Sequence, residues 1–557
     1  MKIEKLVKKS VAEMEPYDSS PVLAVDCKLD QNESPYDIPQ SVKKKIMRRI
    51  AATGFNRYPD ISYATLRNLF AKMYGVELEN VAVGSGIDDL LYCASLAFLS
   101  EGDEALYFTP TFGMYRICCK VAGARETIVP LKPDFSLPGE FFEKSRNAKL
   151  VFICRPNNPT GTTFPRESIE RIAREAKGIV LIDEAYTEFA DDDCLSLLKY
   201  ENVIVFRTLS KAFCSAGVRI GCALGSSKAI SAINKVRLPW NIGTLSLIAA
   251  EESLKNRRLF AKAVEKTKSE RARMLSQIRA LGMTAYGSQA NFILFEPADA
   301  KRAFDGFLEK GILVRRFFSP AMAKFLRVSV GTPKENNRFL QCLPAAASDA
   351  VLFDLDSTLV DVSKSYLEAI RRTAEKISGK RVPRSLALRV KSLPNMNNDW
   401  DATVEVLRRL GVKSSRRVVV PVFQKIYFGK DGNGLIRKEK PLASRKLLKS
   451  IGKPIGIVTG RPRKEALIAV KLLGLPRSTP LVAMEDTKKG KPSPQPLLLA
   501  KKLMGAKFPL YVGDSPDDCE AAGKAGMVFI AIGSGKKKQG EFARFKNAEA
   551  AIKGLFS

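Results

Sequence analysis

Short runs of consecutive apolar residues, each bounded by polar or turn-forming residues, recur through the first half of the chain. K-L-V-F-I-C at 149–154, G-I-V-L-I-D at 178–183 and N-V-I-V-F-R at 202–207 carry almost no polar alternation. Such runs predict strands buried on both faces. Between the first two, F-P-R-E-S-I-E-R-I-A-R-E-A-K at 164–177 repeats its apolar residues at helical spacing. The alternation predicts a mostly parallel α/β sheet. Residues 248–280 read as one long basic helix ending before Gly282. At 341–350 the segment Q-C-L-P-A-A-A-S-D-A is short, small and weakly patterned, which predicts a domain junction there. A new apolar strand, A-V-L-F-D-L-D, follows at once, and the α/β rhythm restarts. Residues 363–450 interrupt it with helix-like sequence rich in lysine and arginine. The pattern thus predicts two α/β domains, 1–345 and 349–557, both doubly wound or nearly so, and no internal repeats.

A chain of 557 residues is too long for one core, which agrees with two domains. No apolar run approaches the roughly 20 residues of a membrane helix. The basic start M-K-I-E-K-L-V-K-K-S leads into no apolar signal core, so a cytoplasmic protein is expected. Ten cysteines are scattered without C-x-x-C spacing, as in a reducing compartment; the adjacent Cys118 and Cys119 read as interior fillers. The net charge of +32 is uneven, with more of the excess after residue 350 than before it. A basic surface suits anionic, phosphorylated substrates. No nucleic-acid-binding motif accompanies it, which leaves a solvated basic surface as its reading. There is no histidine. That removes Ser-His-Asp triads, histidine-ligated metals and imidazole bases, and leaves Lys, Asp, Glu, Tyr, Cys, a cofactor or an oxygen-bound metal.

Three strand ends then gain chemical meaning. T-L-S-K-A-F at 208–213 places the amine of Lys211 at a strand exit beside small hydroxyl residues, where a lysine can form a Schiff base. Asp183 closes the run V-L-I-D, with Tyr186 three residues on. R-P-N-N-P-T-G at 155–161 puts Asn158 in a turn at a third strand end. Amine, carboxylate, phenol and amide at adjacent strand ends are how an open α/β sheet builds a ligand site. With N-E-S-P-Y at 32–36, N-R-Y-P-D at 56–60, G-S-G-I-D-D at 84–89, P-T-F-G-M-Y at 110–115, A-G-V-R-I-G at 216–221, S-Q-A-N-F at 288–292 and L-R-V-S-V-G-T-P at 326–333, residues 15–340 resemble the fold-type-I aminotransferases, and among them the histidinol-phosphate aminotransferases. The resemblance implies a large α/β domain plus a small domain, and pyridoxal phosphate bound through Lys211, which also serves as general base. It implies Asp183 against the pyridinium nitrogen, Asn158 and Tyr186 on the ring oxygen, and Phe112 stacked on the ring. The phosphate falls to Ile87, Asp88, Ser210 and Arg219, with Tyr58 reaching in from the neighbouring subunit of a homodimer. Arg327 is placed to grip the substrate's carboxylate or phosphate, within an apolar run where an unpaired charge is costly; Arg315 and Tyr17 are further candidates. Aromatic aminotransferases and threonine-phosphate decarboxylase share the cofactor residues and remain alternatives.

The second domain opens on V-L-F-D-L-D-S-T-L-V-D at 351–361. Asp354 and Asp356, spaced i and i+2, point one way off a strand, and two close anions call for a cation such as Mg²⁺. Thr459 in P-I-G-I-V-T-G-R-P-R, Lys491 in G-K-P-S-P and the acids of L-Y-V-G-D-S-P-D-D follow in order. These four pieces resemble the haloacid-dehalogenase phosphatases, a Rossmann-like fold with a helical cap at about 363–450. The resemblance implies Asp354 as nucleophile and Asp356 as acid/base, with Thr459 and Lys491 on the phosphoryl oxygens. It implies Mg²⁺ near Asp354, Asp356 and Asp514, with Asp518 in support ahead of Asp517. Together the halves are expected to catalyse transamination between histidinol phosphate and 2-oxoglutarate and then dephosphorylation of histidinol phosphate. Another phosphomonoester such as phosphoglycolate, or a basic regulatory or RNA-binding role on a relic scaffold, are the alternatives.

Overall fold

The computed structural model describes residue 3, residues 6–12, residue 14, 24–393, residue 396 and 398–556; Tyr17 lies outside the described residues. The chain forms two compact units. The first holds the residues up to Glu296 together with Phe304–Gln341, and the second holds Pro297–Ala303 and the chain from Cys342 onward.

The first unit is built on a seven-stranded sheet in the order Val81–Gly84, Gly221–Gly225, Val203–Thr208, Ile179–Asp183, Leu150–Cys154, Glu104–Thr109, Arg125–Pro130. Only Gly221–Gly225 runs antiparallel to its neighbours. The three apolar runs are the buried centre of this sheet: every residue of Leu150–Cys154 and Val203–Thr208 is buried. Continuous burial explains why these strands show no alternation. The intervening helix Arg166–Glu175 buries Ile169, Ile172 and Ala173 and turns its charged residues outward. In register, Cys154 lies beside Asp183 and Asp183 beside Phe206, so three strands end at one edge. A second sheet of five strands, Cys27–Leu29, Ile312–Arg316, Leu326–Ser329, Phe292–Glu296 and Thr284–Ala285, carries the smaller layer of this unit.

One element differs from the sequence reading. The expected helix at 248–280 is two helices, Thr244–Lys255 and Ala261–Ala280, joined by the 3₁₀ turn Arg257–Phe260. The Asn256 side-chain amide donates to the Glu252 carbonyl at 2.8 Å, and such side-chain competition with the backbone ends a helix. The two units divide between Gln341 and Cys342, within the stretch 341–350 read as a junction, and the helix Pro333–Ala347 occupies most of that stretch and contains Pro344. The run Ala345–Ala347 is short and featureless as a pattern, but alanine has the highest helix propensity.

The second unit has a six-stranded parallel sheet ordered Leu481–Val482, Ile455–Val458, Ala350–Phe353, Pro509–Gly513, Val528–Ile532, Ala543–Phe545. Phe353 registers with both Ile457 and Val512, so the residues after these strands meet at one edge. The insertion at 363–450 is helical, with Tyr366–Ser378, Arg384–Lys391, Asp399–Arg409 and Arg416–Tyr427 sharing a core around Ile370, Val406 and Phe423. No helix among the described residues is long and apolar enough to cross a membrane. All ten cysteines are free, and Cys118 and Cys119 are buried.

Candidate active sites

At the carboxyl edge of the seven-stranded sheet lies a cleft of about 560 Å³. Lys211, Asp183, Tyr186, Asn158, Phe112 and Arg327 all line it. The Lys211 amine donates to the Gln31 carbonyl at 3.2 Å and lies 5.8 Å from the centre of the Tyr186 ring. Enclosure, and then the charge of Arg327, lower the Lys211 ammonium to about 8. Asp183 is buried; its Oδ2 accepts from the Tyr115 hydroxyl at 2.9 Å and its Oδ1 from the Ala185 amide at 3.1 Å. Burial pushes its carboxyl up to about 6, so a cation placed beside it would favour the ionised form. The Tyr186 hydroxyl accepts from the Asn32 amide at 3.1 Å. Asn158 Oδ1 accepts from the Arg327 guanidinium, which also donates to the Asp30 carbonyl at 2.7 Å. Arg327 is buried, with its charge 5.2 Å from the centre of the Phe292 ring. Arg315 lines the same cleft, directly opposite Arg327 in the antiparallel ladder.

One end of the cleft is made for an anion. The helix Ile87–Phe98 begins after Gly86, whose φ is +87°. A Cβ at Gly86 would lie 2.6 Å from the Arg219 guanidinium, and one at Gly221 would lie 2.8 Å from the Ile87 nitrogen. Glycine at both positions keeps clear a pocket where helix N–H groups and a guanidinium converge. Arg219 donates to Asp88 at 3.0 Å and to Ser210 at 3.3 Å. These residues fit pyridoxal phosphate: an anion cradle, an amine, a buried carboxylate, an amide and a phenol in one cleft. Tyr58 is not brought to this cleft. It is 78% exposed, with its ring stacked on Trp240 at 4.5 Å between centroids. Phe112 lines the cleft and also meets the Tyr115 ring edge-on at 5.8 Å.

In the second unit, Lys491 lies between two acids. Its amine donates to Asp354 Oδ1 and Asp518 Oδ1, both at 2.6 Å, and to the Tyr511 hydroxyl at 2.9 Å. Asp354, Asp514 and Asp518 bring carboxylate oxygens within 4.8 Å of one another. Burial, and next the charge of Asp518, push Asp514 up to about 7. Asp354 is likewise raised by burial and by the neighbouring acids, against the pull of Lys491. An all-oxygen cluster held this close suits a hard cation such as Mg²⁺. Asp518 also closes a capping box with Ser515 at the start of the helix Pro516–Lys524, which fixes its backbone while its carboxylate faces Lys491.

Asp356 departs from the metal-binding expectation. Its carboxylate is outside the acidic cluster and is taken by the Arg461 guanidinium at 2.7 Å from Nε. A fully charged partner already satisfies it. Thr459 is buried at the end of its strand, where its hydroxyl accepts from the Arg461 amide at 3.2 Å. The sequence reading missed Tyr115, Asn32, Tyr511 and Arg461. All four lay in motifs already singled out, P-T-F-G-M-Y, N-E-S-P-Y, L-Y-V-G-D and V-T-G-R-P, where no role had been assigned to them.

Residues 25–343 match the family described as aminotransferase class I and II. The chain belongs to that family. Two histidinol-phosphate aminotransferases are among the relatives of this aminotransferase. The protein of Thermococcus gammatolerans is 40% identical over 322 residues, 58% of this chain and 92% of that one. The protein of Ruminiclostridium cellulolyticum is 36% identical over 353 residues, 62% of this chain and 98% of that one. A putative aminotransferase structure from Burkholderia pseudomallei superimposes with a TM-score of 0.52 at 29% identity, covering 58% of this chain and 98% of that chain. The Sinorhizobium meliloti histidinol-phosphate aminotransferase solved with pyridoxal-5'-phosphate has the same fold, with a TM-score of 0.55 at 24% identity, over 58% of this chain and 91% of that one. Residues 348–526 match haloacid dehalogenase-like hydrolase. The aminotransferase therefore carries a second, hydrolytic domain of the haloacid-dehalogenase type, and the chain is a pyridoxal-phosphate-dependent aminotransferase and a phosphatase in one.

Proposed function

We propose that the two domains act on one metabolite. The first interconverts an imidazole keto-phosphate and histidinol phosphate using glutamate and 2-oxoglutarate, and the second removes the phosphate from histidinol phosphate. The observation that carries this reading is that the domain whose relatives are named for a phosphomonoester substrate shares this chain with a site built around Asp354, Lys491 and Thr459, a nucleophile beside phosphate-binding groups. Joining the domains raises the local concentration of the shared compound at the second site.

In the first domain, bound pyridoxal phosphate supplies the electron sink for a substrate carbanion. Asp183, backed by the Tyr115 hydroxyl, holds the charge of the ring nitrogen. Asn158 and Tyr186 orient the ring oxygen. Lys211 anchors the cofactor through its amine and then moves the proton between substrate carbon and cofactor carbon. Arg327 and Arg315 take the anionic end of the substrate. In the second domain Asp354 attacks phosphorus, Lys491 and Thr459 hold the phosphoryl oxygens, and Asp354, Asp514 and Asp518 hold Mg²⁺, which neutralises charge there. Asp356 exchanges the proton with the ester oxygen and then with water. Exposed Phe55, Tyr58, Ile61, Leu238 and Trp240 support a homodimer in which Tyr58 serves the partner's cleft. Ten free cysteines suit a cytoplasmic, reducing setting.

The decisive measurement is kcat/KM for phosphate release from histidinol phosphate, phosphoglycolate, phosphoserine and sugar phosphates, made on Lys211→Ala protein so that transamination is silent. Histidinol phosphate is expected to lead the series. If it is hydrolysed no better than the others, the shared-metabolite reading fails. A second outcome tests the first domain. Arg327→Ala is expected to weaken the phosphorylated amino donor by one to two orders of magnitude, since a charged hydrogen bond contributes about 1.5–3 kcal/mol. The loss should be larger for histidinol phosphate than for an unphosphorylated aromatic amine; equal losses would point to an aromatic aminotransferase.

A further inference from the structure

Arg461 is among the largest fully buried side chains of the molecule. It follows the strand Ile455–Val458, on the loop that also carries Thr459. Its Nε and one Nη both donate to the same oxygen, Asp356 Oδ1, at 2.7 and 2.5 Å. The other Nη donates to Glu439 Oε2 at 2.9 Å. The second oxygen of Glu439 accepts from the Ser365 hydroxyl at 2.8 Å and the Tyr427 hydroxyl at 2.9 Å. The guanidinium carbon lies 5.0 Å from the centre of the Tyr366 ring, which stacks on Tyr427 at 4.3 Å.

These partners come from particular places. Ser365 and Tyr366 stand where the helical insertion begins, and Tyr427 ends the helix Arg416–Tyr427, the last of the four that share its core. Glu439 precedes the strand Lys440–Pro441, which pairs with Val360–Asp361 just beyond the D-L-D-S-T segment. One buried cation therefore joins Asp356 to both ends of the cap. A guanidinium is taken out of water this completely only when paired, and here both pairs are anions.

We infer that Arg461 is a positioning residue, which fixes the Asp356 carboxylate through Oδ1 and leaves Oδ2 facing the departing group, and that Glu439 couples the seating of the cap to that orientation. The inference rests on the phosphatase reading. In the step concerned, an Asp354 oxygen bonds phosphorus as the bond from phosphorus to the alcohol oxygen breaks, and that oxygen leaves with the proton of Asp356. An alkoxide needs this proton; p-nitrophenolate leaves without it.

The test is kcat/KM of the full-length chain for a series of phosphate esters, from p-nitrophenyl phosphate to simple alkyl phosphates. This parameter reports the steps through formation of the phosphorylated enzyme. Arg461→Met is expected to lower it about 100-fold for alkyl esters, in the range of general-acid effects, and by about threefold or less for p-nitrophenyl phosphate. Arg461→Lys, which keeps a cation, should recover part of the alkyl-ester rate. An equal loss across the series, or none, overturns the inference. If Arg461→Met does not fold, Glu439→Gln decides: it keeps the shape and the hydrogen bonds of Ser365 and Tyr427. A loss confined to alkyl esters, about tenfold, supports the coupling, and a uniform or absent loss removes it. Failure of the unaltered protein to hydrolyse any ester of the series would instead remove the phosphatase reading.

Discussion

Lys211→Ala protein is expected to be colourless and to lose transamination by roughly 10⁴-fold or more, while phosphate release stays within about twofold. The size of the first effect follows from two roles meeting on one atom. Among the described residues the Lys211 amine is the one primary amine lining the cleft, so its removal takes away the covalent anchor and the proton carrier together. Its environment suits both roles. Enclosure and the nearby Arg327 bring the ammonium down to about 8, so a sizeable share of the amine is neutral and nucleophilic near neutral pH. The sign gives a second check. In unaltered apoprotein, the rate at which added pyridoxal phosphate develops visible absorbance should climb as pH rises through about 8 and then level off. Retained transamination by Lys211→Ala, or a rate of cofactor capture that falls over that range, would contradict the assignment of Lys211.

The strands and their terminal residues were readable because a parallel sheet writes itself locally. V-L-I-D and V-L-F-D are continuous apolar runs that stop at a carboxylate, and a buried acid at the end of such a run is too costly to be accidental. The order of the motifs supplied the rest. What escaped were side chains whose meaning lies in contacts between distant segments. Tyr115 meets Asp183 and Arg461 meets Asp356 across more than sixty and one hundred residues respectively. Nothing in P-T-F-G-M-Y or V-T-G-R-P separates a tyrosine or arginine that buttresses a catalytic acid from one that packs in the core. Asp356 was given a metal role from its spacing to Asp354 and from the phosphatase resemblance. Both residues lie just beyond the strand Ala350–Phe353, where Asp354 joins the acidic cluster and Asp356 pairs instead with Arg461. The break at Asn256 was hidden for a related reason: one asparagine in a basic, helix-favouring stretch is a small signal, and its side chain decides the matter by reaching the Glu252 carbonyl.

Asp354→Asn is expected to abolish phosphate release, by roughly 10⁴-fold or more, and to leave transamination unchanged. The amide has the size of the carboxylate and can still accept the hydrogen bond that Lys491 donates at 2.6 Å, so the loss should not come from misfolding. Electrostatics predict the direction of the stability change. Asp354, Asp514 and Asp518 are held within 4.8 Å, and the counter-charge among them is Lys491, paired with Asp354 and Asp518. Removing one of the three negative charges relieves repulsion, so without Mg²⁺ the variant should melt no lower than the unaltered protein. With Mg²⁺ the order should reverse. Ligand binding stabilises a fold by RT ln(1 + [L]/Kd), about 2.7 kcal/mol at a hundredfold excess over Kd, and a site with one anion fewer binds a hard cation less tightly. The Mg²⁺-induced rise in Tm should therefore be clear for the unaltered protein and much reduced for Asp354→Asn and for Asp514→Asn. Excess chelator should stop phosphate release in the unaltered protein and leave transamination running, because the two sites share no residue. Undiminished hydrolysis in chelator would rule out a metal in this reaction, and equal Mg²⁺ shifts in all three proteins would place the cation somewhere other than between these aspartates.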